Sequence, residues 1–292
     1  MTADTHDATH AGLPVGANGA TPVVTRAVIL ARGLGTRMRA ADDGAVLDAA
    51  QAAAAAAGQK GMMPVGGRPL LDHVLSTLAD AGVRDACLVV APEHAAIRAH
   101  YDAVRPARLR IHYAVQAEPR GTADALLAAG AFIGDGRAFV CNADNHYPLA
   151  ALVALGGAGG EAVAGFDGDA LVATSGIPRE RLRKFALLLR DDAGRLVDLV
   201  EKPDDATWAR LAPVALVSMN LWVAGPAIVA ACRRVRPSAR GELELPEAVR
   251  LAVREDGATI RVVPVHGPVL DLSSRRDVAV VSARLAGHEV RL

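Results

Sequence analysis

Ala27-Val28-Ile29-Leu30 is a continuous apolar run that gives way to Ala31-Arg32-Gly33-Leu34-Gly35-Thr36-Arg37-Met38. A run without polar alternation suits a strand buried on both faces of a parallel sheet. The glycines that follow let the backbone approach a bound anion closely, and successive N–H groups can form an anion-binding nest. Arg37 adds a guanidinium whose fork matches phosphate oxygens. Taken alone, GxG after a strand equally describes a tight turn. A dinucleotide fingerprint would need a small residue where Met38 stands, and a P-loop would need Gly-Lys-Ser/Thr, which the chain lacks.

Outward from this stretch the first half alternates strand and helix. Leu70, Leu71, Val74, Leu75 and Leu78 follow helical spacing up to Gly82. Cys87–Ala91 reads as a strand, with a helix after Pro92 and a strand over 111–115. A helix starts near Thr122, and the strand 138–142 ends next to Asp144. This alternation implies βαβ units and a parallel sheet covered by helices. The second half is more mixed. Strands are predicted over 185–189, 196–200, 215–223, 260–265 and 269–272, and helices over 227–235, over 245–254 and from about Arg275. The reading is one α/β domain over 25–292, with a nucleotide-binding half (25–150) and a substrate-facing half (151–292). Residues 1–24, rich in Ala, Gly, Thr and Asp, read as a flexible tail.

Composition narrows the function classes. The 292 residues are 51% apolar and 22% charged, with 32 cationic and 32 acidic side chains, so the formal charge is zero. Nothing favours a general attraction to nucleic acid or to an anionic membrane surface. Aromatic residues make up 3% of the chain, too few for base-stacking platforms. Cys87, Cys141 and Cys232 lack CxxC spacing, which predicts neither a disulfide framework nor a zinc site and suits a cytoplasmic location. No secretory signal or membrane span is predicted.

Further segments give the glycine loop its meaning. Gly33-Leu34-Gly35-Thr36-Arg37-Met38 followed by Lys60-Gly61-Met62-Met63-Pro64-Val65-Gly66-Gly67-Arg68-Pro69-Leu70-Leu71 resembles the two-part signature of the sugar nucleotidyltransferase (NDP-sugar pyrophosphorylase) family. Gln116-Ala117-Glu118-Pro119-Arg120-Gly121-Thr122-Ala123-Asp124-Ala125 is similar to that family's nucleobase segment, and Asn142-Ala143-Asp144-Asn145 to its metal-binding strand end. Val200-Glu201-Lys202-Pro203 resembles the sugar-phosphate motif, Asn220-Leu221-Trp222 the sugar-contact strand, and Val269-Leu270-Asp271-Leu272-Ser273-Ser274 the segment carrying a second metal ligand. The matches keep the family's order from Ala27 to about Leu285.

The resemblance implies a Rossmann-like three-layer α/β/α fold with a mixed, mostly parallel sheet. It implies Mg2+-dependent attack of a sugar 1-phosphate on the α-phosphorus of a nucleoside triphosphate, giving an NDP-sugar and pyrophosphate, with thymidylyl- and uridylyltransferases of glucose 1-phosphate as models. Such chemistry depends on alignment and on cations around phosphorus. Arg37, Lys60 and Lys202 become catalytic. Ala31, Gly33, Gly35, Thr36, Gln116, Gly121 and Thr122 become nucleotide contacts. Glu201 and Asn220 meet the sugar, and Asp144 and Asp271 bind the metal, which prefers oxygen ligands and one or two carboxylates. A Gln amide offers both a donor and an acceptor, suited to the imide edge of uracil or thymine. His146 is the one histidine near this chemistry, and no histidine base is required because the attacking phosphate is already an anion. The partners implied are the two small-molecule substrates, with room for a homo-oligomer and without nucleic acid or membrane.

The chain departs from the family at several points. Arg32 stands where Gly or Ala is common, and is expected to turn outward or to reach a phosphate. Gly61 replaces a common proline and Ala143 a common glycine. The interval between Arg37 and Lys60 is long, and 40–59, with its Ala-rich run Ala49–Ala57, is predicted as a helical insertion: a lid, an oligomer contact or surface decoration. Arg183-Lys184-Phe185-Ala186-Leu187 replaces a stretch that often holds a Tyr-Gly pair at the sugar. The left-handed β-helix acyltransferase domain of some relatives is not expected. A cytidylyltransferase for inositol or choline phosphate, a catalytically silent nucleotide-sugar-binding regulator and, more distantly, a Rossmann oxidoreductase are the competing readings.

Overall fold

A computed structural model describes residues 24–292 apart from 41 and 43; the predicted tail lies outside the described residues except for its last residue, Val24, which is buried in the core. The elements in chain order are β1 (Arg26–Leu30), α1 (Thr36–Arg39), α2 (Ala49–Ala57), β2 (Pro64–Val65), β3 (Arg68–Pro69), α3 (Leu70–Asp80), β4 (Asp85–Val90), α4 (Ala95–Val104), β5 (Arg110–Val115), α5 (Thr122–Ala128), α6 (Gly130–Ile133), β6 (Ala138–Asn142) and β7 (Asn145–His146). They continue with α7 (Leu149–Gly156), β8 (Ala162–Phe166), α8 (Gly168–Ser175), α9 (Arg179–Leu182), β9 (Ala186–Arg190), β10 (Leu196–Val200), α10 (Asp205–Leu211), β11 (Leu216–Ala224), α11 (Pro226–Cys232), α12 (Leu245–Arg254), β12 (Arg261–Val265), β13 (Leu270–Asp271) and α13 (Asp277–Leu285).

The main sheet runs β10-β9-β11-β6-β1-β4-β5, with β8 also paired to β11 and β12 attached to β8. Strands β6, β1, β4 and β5 are parallel, and β11 turns the sheet antiparallel against β6, β8 and β9. Side chains alternate across a strand, so each continuous apolar run serves two cores. Ala27, Ile29, Leu88, Val90, Phe139 and Cys141 face α3, α4, α7 and α13. Val28, Cys87, Val89, Ala138 and Val140 face α5, α6, α11 and α12. This is the expected mixed sheet between two helical layers. On α12, Leu245, Ala248, Val249 and Ala252 are buried at helical spacing, the stripe a core-facing helix requires.

The sequence reading did not anticipate β8. Its five residues AVAGF are buried throughout, but they are small and flanked by Gly-rich turns. Gly165 explains the composition: a Cβ there would lie 2.8 Å from a Leu216 side-chain carbon and 3.0 Å from one of Val262, so the position holds β11 and β12 close.

The long interval before Lys60 does contain a helix. Asp48 and Gln51 form a reciprocal capping box at the start of α2. The segment is tied down, since Gln51 Nε2 donates to the Pro64 carbonyl at 3.0 Å and Arg39 donates to the Ala57 carbonyl at 2.9 Å. Asp42 accepts from Arg276 at 2.7 and 2.9 Å. Gly58 closes α2 at φ 71°, where a Cβ would come within 2.7 Å of the Leu34 carbonyl oxygen. Left-handed backbone is costly for other residues, by about 1–3 kcal/mol. Gly58→Ala is therefore expected to lower stability by at least about 1 kcal/mol in urea unfolding, and to raise the KM for nucleotide by disturbing the loop at Leu34.

Candidate active site

The parallel register places Leu30 opposite Asn142, so the chain leaves β1 and β6 at the same level. The loop after β1 and the Asp144 turn after β6 thus share one rim, where open α/β sheets carry their ligands. A cavity of about 430 Å3 opens there. Its wall includes Ala31, Gly33, Gly35, Thr36, Arg37, Lys60, Gln116, Gly121, Thr122 and Asp144. Every predicted nucleotide contact, two of the three predicted catalytic cations and one predicted metal ligand are therefore brought together.

The loop is shaped as an anion nest. Among the described residues, the backbone N–H groups of Gly33, Leu34, Gly35, Thr36 and Arg37 donate to no other group. Gly35, at φ 62°, abuts Gly58, and a Cβ would meet the Gly58 carbonyl oxygen at 2.2 Å. Arg32 corrects the expectation of an outward side chain, and it too lines the cavity. It is 8% exposed and turns inward, donating from Nε to the Gln116 carbonyl at 3.3 Å and from Nη2 to the Ala117 carbonyl at 3.4 Å.

Gln116 is buried beside this arginine. Its Nε2 donates to the Gly121 carbonyl at 3.0 Å and to Asp124 Oδ2 at 2.9 Å. Both amide hydrogens are consumed, which corrects the expectation that the side chain offers donor and acceptor together. Only Oε1 remains for a ligand. Gly121, at φ 112°, has no room for a Cβ because Leu243 O would lie 2.4 Å away. The loop bearing Leu243 also brings Arg240 and Glu242 to the cavity wall. Sequence reading missed both residues, although Arg240-Gly241-Glu242 is itself a charged, Gly-containing turn.

The two candidate metal carboxylates approach through a two-strand pairing in which Asp271 of β13 stands opposite Asn145 of β7. Asn145 Nδ2 donates to Asp271 Oδ1 at 3.3 Å, and Ser273 Oγ donates to both Asp271 oxygens at 3.1 and 2.9 Å. Burial, and then the nearby Asp144 charge, push the Asp271 carboxyl above the usual range, while Arg181 opposes them. Each carboxylate already meets a cation: Lys60 Nζ lies 2.8 Å from Asp144 Oδ2, and Arg181 Nη2 lies 3.0 Å from Asp271 Oδ2. Arg181, which also pairs with Asp277, was not legible in the sequence because α9 is 4 residues long and carries no motif.

Glu201, Lys202, Asn220 and Asp271 lie outside the wall of this cavity. Asn220 lines a small adjoining pocket with Leu30, Thr122 and Asn142. Lys202 Nζ stands 3.4 Å from Glu201 Oε1, and burial raises the Glu201 carboxyl. Both Lys202 (φ 43°) and Asn220 (φ 58°) adopt left-handed backbone, a strained state that tends to persist at functional positions. Tyr147 fixes the Asn220 kink by donating its hydroxyl to the Met219 carbonyl at 2.6 Å. His146 points the other way: it bonds Thr77 on α3 at 2.9 Å, and burial pulls it down to about 3, so it does not face the site.

The chain is similar to known proteins over most of its length. Residues 54–265 match the nucleotidyl transferase family model. A UTP–glucose-1-phosphate uridylyltransferase, AglF, of Haloferax volcanii is 30% identical over 260 residues, covering 89% of this chain and 96% of that protein. The structure of a UDP-glucose pyrophosphorylase complexed with UDP-glucose superposes with a TM-score of 0.70 at 18% identity, over 91% of this chain and 100% of the other. An inositol-1-phosphate CTP transferase from T. maritima superposes with a TM-score of 0.69 at 16% identity, over 91% and 96% of the two chains. These two likenesses establish the shared fold. No described helix is long and apolar enough to cross a membrane. The family match covers most of the chain, and the glycine loop, Lys60 and Asp144 meet on one rim: the protein belongs to the nucleotidyl transferase family and is a nucleotidyltransferase enzyme.

Proposed function

We propose that the chain transfers a nucleoside monophosphate from UTP or dTTP to a sugar 1-phosphate, with Mg2+, releasing pyrophosphate. The observation that carries this reading is the single cavity that joins a nest of free N–H groups, Arg37, the Lys60–Asp144 pair and the Gln116 acceptor. In the reaction an oxygen of the sugar phosphate bonds to the α-phosphorus as the bond from that phosphorus to the pyrophosphate oxygen breaks. Arg37 and the loop N–H groups hold the triphosphate, and Lys60 follows the charge that gathers on the leaving side. Lys202 and Glu201, linked through the charges of Arg240 and Glu244 to the cavity, receive the sugar phosphate and its hydroxyls. Arg240 adds a second cation on that side.

The carboxylates suit a hard dication. Asp144 and Asp271 repel one another and are each balanced by a cationic side chain, the charge state that a bound dication would also satisfy. When bound, Mg2+ supplies positive charge to the phosphate oxygens and orients them for in-line attack. Asp144 can offer Oδ1 while Lys60 stays on Oδ2, whereas Asp271 becomes available only when Arg181 turns aside.

The base preference rests on Gln116 Oε1, left free because both amide hydrogens are taken, and on the Gly121 N–H, which donates to no described group: an acceptor and a donor of the kind that match the N3–H and a carbonyl of uracil or thymine. The uridylyltransferase relative supports glucose 1-phosphate as the first acceptor to try.

A panel of nucleoside triphosphates against sugar 1-phosphates and polyol phosphates, scored by pyrophosphate release, tests the reading. UTP or dTTP with a sugar 1-phosphate is expected to lead, and release confined to CTP with a polyol phosphate would replace it. Asp144→Asn and Asp271→Asn are each expected to lower kcat by about a hundredfold or more while leaving the circular dichroism spectrum unchanged. Full activity in either removes that residue from the metal site. Arg181→Gln leaves Asp271 short of its counter-ion at a site only partly open to water, so unfolding should show a loss of about 2–3 kcal/mol. Added Mg2+ should then raise the Tm of this variant more than that of the wild type.

A further inference from the structure

The Gln116 amide is held by oxygen atoms on one side only. Its two N–H bonds point at the Gly121 carbonyl and at Asp124 Oδ2, 3.0 and 2.9 Å away. Neither partner can donate in return, because a carbonyl and a carboxylate are acceptors. Turning the amide over would set Oε1 against both oxygens and lose two hydrogen bonds inside a side chain that is 4% exposed. The backbone is fixed too, since Arg32 donates to the Gln116 carbonyl. Of the two Asp124 oxygens, Oδ1 is the one nearer Arg120, at 4.0 Å, which leaves Oδ2 to the amide. Asp124 sits in the first turn of α5, a rigid platform just behind Gly121.

We propose that Asp124 is a specificity-determining positioning residue: it locks the Gln116 amide so that the base pocket presents an acceptor, and thereby admits bases carrying a ring N–H while rejecting cytosine. This rests on the assignment of Gln116 to the nucleobase in the proposed function. Uracil and thymine offer N3–H to Oε1. Cytosine offers a lone pair at the same ring position, and two acceptors facing each other in a buried pocket are unfavourable. A Gln amide free to turn would accommodate either base; the Gly121 carbonyl opposes the turn whatever the side chains, and Asp124 is the side chain that adds to it and so sets the discrimination. Asp124 is not part of the cavity wall, so its effect appears in selectivity through Gln116.

Asp124→Asn tests the lock, because an Asn side chain can turn its own N–H toward a reversed Gln116. Steady-state kinetics and calorimetric binding are measured with UTP and CTP on wild type and variant, with thermal melting as the folding control. The UTP-to-CTP ratio of kcat/KM is expected to fall about tenfold or more in the variant, with part of the change a gain for CTP. A gain for CTP is an effect that general loosening of α5 would not produce. Asp124→Ser, which also offers a hydroxyl donor, repeats the measurement if the first variant does not fold. An unchanged ratio in a folded variant, or equal losses for both nucleotides, overturns the lock and leaves the proposed function standing. A wild-type chain that binds CTP in preference to UTP overturns the lock and the proposed base together, and one that binds neither overturns both readings at the nucleotide itself.

Discussion

The site depends on one register. Leu30 stands opposite Asn142 where β1 and β6 run parallel, so both strands end on the same side of the sheet. A shift of one residue would send each strand's alternating side chains to the wrong core. Here that would exchange Val28 and Val140 with Ile29 and Cys141 between the two helical layers. Both layers are apolar, so side-chain size and fit rather than polarity separate the two registers, and the observed one brings the glycine loop to the same rim as Asp144. Packing well below the rim thus positions chemistry at the rim.

Charge is arranged on the same plan. Two carboxylates sit close enough for Asp144 to raise Asp271, yet each has a cation against it, Lys60 on one and Arg181 on the other. Paired and hydrogen-bonded charges are tolerated where bare ones are not. The two pairs differ in kind. A lysine is a compact point charge on a flexible stem and can follow a moving phosphate oxygen. An arginine in a fork with Asp271 and Asp277 is held by geometry and moves as a unit. The Asp144 side of the site is the more adaptable half, and the Asp271 side is buttressed.

The parallel strands of the first half were legible because a strand buried on both faces must be apolar throughout, and Ala27–Leu30, Cys87–Ala91 and Ala138–Cys141 are. The loop after β1 was legible for a related reason: backbone anion sites require glycine at fixed places, and Gly33 and Gly35 supply it. What escaped reading lacks a local signal. β8 is built of small residues whose purpose is to let neighbouring strands close in. Arg181 and Arg240 come from a short helix and a turn, and their roles arise only when distant segments meet. Likewise, the inward turn of Arg32 depends on the carbonyls of Gln116 and Ala117, 84 and 85 residues away. His146 was misleading, since proximity in sequence to Asp144 says nothing about which face of β7 a side chain takes.

The departures from the family pattern make physical sense only in pairs. Gly61 replaces a common proline and Ala143 a common glycine, and a Cβ on Gly61 would lie 3.2 Å from the Ala143 Cβ. The Ala143 methyl thus packs against the bare Gly61 backbone beside the Lys60–Asp144 contact. Arg32 brings bulk and charge where a small residue is usual, and the two carbonyls of the Gln116 segment take up its donors. The insertion before Lys60 lengthens the loop, and Gly58 lets its end return against Gly35 with no side chain between them. In each case the changed residue meets a neighbour with room or an acceptor for it, and Lys60 stands 2.8 Å from Asp144. A site whose chemistry is alignment tolerates substitution on that condition. Restoring one member of such a pair alone, proline at 61 or glycine at 143, would crowd or empty the contact that sets where Lys60 meets Asp144.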